Sequence, residues 1–102
     1  MQKKVNKFNK TRYAHKKPMP PHARLLDISS ELGELEKEYL ENSKYGTQEF
    51  KLSDEFEMEF GDTLYSLLSL ADELNLDAEK CLDKALKKYN SRIAKNKSMG
   101  SK

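Results

Sequence analysis

Little in this sequence points to cross-links, membranes or sheets. A single cysteine, Cys81, rules out an internal disulfide and fits a reducing compartment. No apolar run approaches the ~20 residues that a bilayer span needs. The basic N-terminus has no apolar stretch behind it, so no secretory signal is expected, and the expected location is the cytoplasm. No segment alternates apolar and polar residues between turn signals, and there is no internal repeat. Proline occurs three times, at positions 18, 20 and 21. The two histidines, His15 and His22, flank that segment without metal-ligand spacing, so loop or capping roles are expected of them.

What is present is charge, sharply sorted along the chain. The formal net charge is only +2, yet residues 1–24 carry eight Lys or Arg and no acid. Residues 27–62 carry twelve acids against Lys37, Lys44 and Lys51, and residues 80–102 are basic again, with eight Lys or Arg against Asp83. Basic ends suit a polyanionic partner or substrate, and an acidic middle suits either a solvated surface or a cation.

With 102 residues there is room for one small domain. The prolines at 18–21 break the chain, because proline cannot continue a helix through its interior. Residues 1–19 form a basic N-terminal segment whose Val5, Phe8 and Tyr13 have the spacing of a short helix. From Pro21 to about Ser43, Leu25, Ile28, Leu32, Leu35 and Tyr39 recur at steps of three and four, a helical stripe. Gly46 is the expected turn residue of the connector. Ser53 is the expected N-cap of a second long helix, with Asp54 and Glu55 in its first turn. Its stripe is Phe56, Phe60, Thr63, Leu67, Leu70, Ala71 and Leu74, and Asn75 suits its end. Asp77 caps a third helix with Ala78, Leu82, Ala85, Leu86, Tyr89 and Ile93 on one side. Residues 96–102 are expected to be a flexible basic tail. The fold expected for residues 20–95 is an all-α bundle of three main antiparallel helices, plus the short N-terminal one. A folded part this small buries a limited core, so a homodimer or homotetramer is expected to complete it.

The acids are not spread evenly. Residues three apart on a helix lie ~60° apart around the axis and ~4.5 Å along it, so Glu31 and Glu34 share a face, as do Glu59 and Asp62. Both pairs sit at the margin of an apolar stripe. Packing the stripes antiparallel would bring the pairs together, and four crowded carboxylates repel unless a hard divalent cation relieves them. The alternative is ordinary solvated helix faces; Glu36 and Glu57 fall off these faces and are read as surface charge. Lys84, Lys88 and Arg92, spaced by four, form a cationic row on the last helix that suits phosphate, or else a solvated basic face.

The segments "SELGELEKEYL" (30–40) and "EFEMEFGDTLYSLLSLADELNLD" (55–77) resemble the MazG-like all-α nucleoside triphosphate pyrophosphohydrolases. That family carries E-E-x-x-E on one helix and E-x-x-D on the next, and the resemblance spans about residues 20–93. It implies that Glu31, Glu34, Glu59 and Asp62 are Mg²⁺ ligands, with Mn²⁺ as a substitute. The stretch "DKALKKYNSR" (83–92) resembles the basic part of the family's last helix, which makes Lys84, Lys88 and Arg92 substrate-binding residues. The implied reaction is cleavage of a nucleoside triphosphate, standard or modified, to monophosphate and pyrophosphate. Ser30 departs from the pattern, standing where the family has its first glutamate. Glu34 is taken as the general base, although spacing does not separate a base from a ligand. Relatives of this superfamily act on dUTP, dCTP or phosphoribosyl-ATP, so the resemblance does not fix the base.

Other features receive plainer readings. Gly33 and Gly61 are expected to serve helix packing, and Cys81 to be a buried thiol. Phe8, Tyr13 and Tyr45 are read as core or rim packing. The competing function is a non-catalytic helical module that binds a nucleotide, nucleic acid or an acidic partner. No helix-turn-helix or other reader motif is visible, so neither nucleic acid nor a membrane is the expected partner.

Overall fold

The computed structural model describes residues 1–100, and side chains as far as residue 97. Among these residues there are four helices and no strand: α1 (Gln2–Arg12), α2 (Pro21–Asn42), α3 (Asp54–Glu73) and α4 (Ala78–Gly100). The helix boundaries follow from local chemistry. Pro20 is extended at the N-cap of α2 and Pro21 occupies its first position, where a missing N–H costs nothing. After α2 the chain turns through left-handed Lys44, Tyr45 and Gly46, at φ 50°, 59° and 83°. Buried Ser43 holds this turn: its hydroxyl donates to the Tyr39 carbonyl at 2.9 Å and accepts from the Gly46 N–H at 3.2 Å. Ser53 caps α3 by accepting from the Phe56 N–H at 3.1 Å. Asn75, at φ 56°, follows α3, and the Asp77 carboxylate caps α4 at the Lys80 N–H, 3.2 Å away. The helix α4 continues through residues 96–100, which the sequence assigns to a tail; residues 101 and 102 of that segment lie outside the described residues.

The helices α2 and α3 form an antiparallel pair whose register is pinned in three places. At one end the Asn42 amide donates to the Ser53 hydroxyl at 2.7 Å. Towards the other end the Ser66 hydroxyl donates to Asp27 at 2.7 Å, one turn along α2 from Arg24. At the other end Arg24 donates to Glu73 from Nε and Nη2, the shortest contact being 3.1 Å, and its Nη2 reaches the Tyr13 hydroxyl at 3.2 Å. The helix α1 lies against α3. Asn9 donates to the Ser69 hydroxyl at 2.9 Å and accepts from the Tyr65 hydroxyl, while Phe8 meets Tyr65 edge to face. Its first residue, Gln2, grips the α3–α4 elbow: it donates to Asp72 and to the Leu76 carbonyl, and accepts from the Ala78 N–H.

Three expectations are corrected here. The third main helix is not an antiparallel neighbour within the chain, because α4 packs along neither α2 nor α3. It leaves the elbow with its stripe uncovered, and Leu82, Leu86, Tyr89 and Ile93 are each about half exposed. Cys81, on the same helix, is exposed rather than buried. The stripes of α2 and α3 are likewise open at Leu25, Leu32, Phe60 and Leu67. What the pair buries instead is Arg24, Ser66 and Ser69 with Leu68 and Ala71. Gly33 and Gly61 serve no close packing in the chain, since a Cβ on either would meet nothing within 4 Å.

Candidate metal centre

The pinned register decides where the acids go. One turn beyond the Asp27–Ser66 contact, Glu31 of α2 faces Glu59 and Asp62 of α3. These three residues can each offer one carboxylate oxygen such that all lie within 4.8 Å of one another. Glu31 and Glu59 are half-buried and Asp62 is exposed. Loss of hydration and then the Asp62 charge raise the Glu31 carboxyl above its ordinary value, with smaller contributions from Asp27, Glu59 and Glu34. Glu59 is raised in the same way, first by loss of hydration, then by Asp62, Glu34 and Glu38. Among the described residues no Lys or Arg pairs with the three; the ion pairs join Arg24 to Asp27 and Glu73.

The donor set suits a hard divalent cation. It is all oxygen, drawn from two helices, and already crowded with negative charge. An octahedral Mg²⁺ with bonds of about 2.1 Å places its ligand oxygens about 3–4 Å apart, so small side-chain rotations close the set. Of the four expected ligands the structure therefore brings three together. Glu34 is exposed and stands outside the trio, near enough for its charge to act on Glu31 and Glu59. Ser30 is exposed beside them.

The cationic row is not delivered to the carboxylates within this chain. Lys84, Lys88 and Arg92 are exposed on α4, and Lys88 lies over the ring of its neighbour Tyr89 at 4.9 Å. Sequence reasoning missed Asp27, which adds its field to Glu31 and anchors Ser66. Its four-residue spacing from Glu31 was the available signal.

An all-helical chain that opposes carboxylates across an antiparallel helix pair is what fold and site define together. No family model matches it. The chain is 35% identical over 75 residues to YpjD of Bacillus subtilis (strain 168), an uncharacterised protein, across 71% of this chain and 66% of that one, just under two thirds of its length. The crystal structure of Bacillus subtilis YpjD, a candidate pyrophosphatase, matches with a TM-score of 0.68 and 30% identity, covering 89% of this chain and 90% of that one. The chain belongs to the YpjD family. No helix of the described residues is long and apolar enough to cross a membrane.

Proposed function

We propose that this protein is a Mg²⁺-dependent nucleoside triphosphate pyrophosphohydrolase of the MazG-like kind, one that splits the α–β anhydride to give a monophosphate and pyrophosphate. The observation that carries this reading is the convergence of Glu31, Glu59 and Asp62 to within 4.8 Å across two helices. The likeness to a candidate pyrophosphatase supports it. Glu31, Glu59 and Asp62 would hold the metal, which leaves Glu34, the fourth expected ligand, to act as the base. A Mg²⁺ held there would supply charge neutralisation for the phosphates and a more acidic water. Glu34, exposed at the rim, accepts a proton from the attacking water. Water adds across the anhydride, and the electron pair leaves with pyrophosphate.

The cationic row enters through a second copy of the chain. A compact monomer of 11.8 kDa exposes about 5,900 Å²; this chain exposes 8396 Å². The excess matches what stable subunit interfaces bury. In a homodimer or homotetramer the uncovered stripe of α4 packs on a partner, and Lys84, Lys88 and Arg92 reach the phosphates held there.

The decisive experiment is a panel of ribo-, deoxyribo- and modified triphosphates with Mg²⁺ or Mn²⁺, scored for monophosphate and pyrophosphate in equal amounts. Glu31→Gln is expected to lower turnover at least a hundredfold. Glu57→Gln, which removes the same charge from an exposed part of α3, is expected to change it little. Equal losses would reduce the effect to general electrostatics. No product from any triphosphate would favour the non-catalytic module.

A further inference from the structure

The helix α1 ends beside the carboxylates. It runs antiparallel to α3: Gln2 meets Asp72, Asn9 meets Ser69 and Tyr65, and Arg12 meets Tyr65. Tyr65 lies one turn after Asp62, about 4.5 Å along the axis. Helical side chains lean towards the N-terminus of their helix, so Tyr65 covers the turn that carries Asp62. Around α3, Asp62 sits about 60° from Glu59, which faces Glu31 of α2, and about 60° the other way from Tyr65, which faces α1. The exposed Asp62 therefore opens into the space between α2 and the last turn of α1.

Arg12 is held in that last turn in a defined pose. Its Nη1 donates to the Tyr65 hydroxyl at 2.8 Å. The guanidinium lies over two rings, 5.3 Å from the centroid of Tyr13 and 5.8 Å from that of Tyr65. Lys16 stands over the Tyr13 ring as well, at 5.7 Å. No acid precedes Asp27 in the chain, and among the described residues Arg12 makes no ion pair. Its acceptor is neutral, which leaves the charge and most of the guanidinium N–H donors for another ligand. A staple between α1 and α3 does not need that charge, because Asn9 and Phe8 already fix α1 to Ser69 and Tyr65.

We infer that Arg12 is a phosphate-binding residue that each chain supplies to its own carboxylate site. The inference rests on the pyrophosphohydrolase reading of Glu31, Glu59 and Asp62. A triphosphate carries more negative charge than one divalent cation cancels, so phosphate oxygens turned away from the metal gain from a cation on the protein. The row on α4 reaches a site only through a second copy, whereas the packing of α1 on α3 brings Arg12 to the site within one chain. Its planar fork pairs two phosphate oxygens at once, which an ammonium does not. The Tyr65 hydroxyl and the two rings restrict the guanidinium beforehand, which lowers the ordering cost of binding. In the sequence Arg12 is one of eight cations in a basic end; helix packing singles it out.

The test titrates Mg²⁺-saturated inorganic tripolyphosphate, a probe with neither base nor sugar, into the whole chain by calorimetry, beside KM for the triphosphate that turns over fastest. Arg12→Ala is expected to weaken tripolyphosphate about tenfold, as one charged hydrogen bond allows, and to raise KM by a similar factor with a smaller change in kcat. Arg12→Gln keeps a donor for Tyr65 but no charge, and should bind as weakly as Arg12→Ala. Arg12→Lys keeps the charge without the fork, and should recover part of the loss. Lys4→Ala removes an exposed cation eight residues away, about 12 Å along α1, and should bind tripolyphosphate as the wild type does. A mere staple predicts a lower thermal midpoint with unchanged affinity; that result overturns the inference and leaves the hydrolysis reading intact. An equal loss in Lys4→Ala overturns it too, since the effect is then general electrostatics. Mixing Arg12→Ala with Glu31→Gln should regain no activity, because each site draws both residues from one chain. Recovery would move Arg12 to a neighbouring copy's site and overturn its assignment to its own chain. Absence of turnover with every triphosphate overturns the hydrolysis reading, and the calorimetry then judges Arg12 by itself.

Discussion

Glu31 and Glu59 have carboxyl groups raised above 4.5 in the folded chain, by lost hydration and by neighbouring acids. A raised carboxyl binds its proton more tightly folded than unfolded, so the stability it contributes is present below pH 4.5 and lost as pH rises through the raised value. The metal-free protein therefore carries its full repulsion at neutral pH. Thermal unfolding should show Glu59→Gln more stable than wild type at pH 7.5 without metal, and the gap should close towards pH 4. Added Mg²⁺ should reverse the order at pH 7.5, because the wild type keeps the ligand that the variant has lost. A Glu59→Gln variant that gains as much from Mg²⁺ as wild type would refute the metal centre. Gly33 and Gly61 belong to the same scale. Each sits mid-helix beside a carboxylate, where glycine costs about 1 kcal/mol against alanine. A Cβ there meets nothing in the chain. Gly33→Ala should accordingly raise stability by about 1 kcal/mol in the metal-free protein. If substrate or a partner copy approaches Gly33, turnover should fall even as stability rises; an unaltered rate would leave Gly33 a position without a function in the site.

The elements were the most legible part of the sequence, and for local reasons. Pro21, Ser53, Asn75 and Asp77 act through backbone geometry or a hydrogen bond within three residues, and all four terminate or start helices as their chemistry dictates. The two carboxylate pairs could be read because helical spacing sets which residues share a face, and the α2–α3 pairing brings Glu31 to Glu59 and Asp62. Which residues fasten that pair was not legible. Arg24 looks like one more cation in a basic segment, yet it is 1% exposed and clamped by Glu73, with Tyr13 and Tyr65 beside it. Glu73 and Tyr65 are more than 40 residues away and Tyr13 lies across the proline break, beyond what periodicity reports. Removing one member of a buried ion pair strands the other, so Arg24→Ala should destabilise the protein by about 3 kcal/mol. Ser53→Ala, which deletes a cap and the Asn42 contact, should cost about 1–2 kcal/mol. Chemical denaturation checks both, and an Arg24→Ala loss below that of Ser53→Ala would mean the clamp is not what sets the register.

At the scale of the whole molecule the apolar stripes were visible, but their destination was not, because periodicity marks a face without naming what covers it. The sequence reading makes the three long helices antiparallel neighbours within one chain and leaves an oligomer to complete their core. In the structure the chain extends over 59 × 37 × 22 Å with a radius of gyration of 17.9 Å, where a compact domain of this length has about 13 Å. The helix α4, which packs along neither α2 nor α3, leaves Leu82, Leu86, Tyr89 and Ile93 each about half exposed. Leu86 gives the sharpest test. Nothing in the protomer depends on burying it, so Leu86→Glu should leave a single chain undisturbed and act only on assembly. Light scattering of the wild type should give at least twice 11.8 kDa at micromolar concentration, and Leu86→Glu should reduce that mass towards one chain. Turnover should fall with the mass, since Lys84, Lys88 and Arg92 lie on the helix that is displaced. Mixing then asks whether the site is shared. On the proposed reading Glu31→Gln would lack a metal ligand, and a Lys84→Ala, Lys88→Ala double variant would lack phosphate contacts. If α4 of one copy serves the carboxylates of another, mixed oligomers contain intact sites, and the mixture recovers activity that neither variant has alone. No recovery from variants shown to exchange subunits would confine each site to its own chain, and a monomeric wild type would remove the assembly altogether.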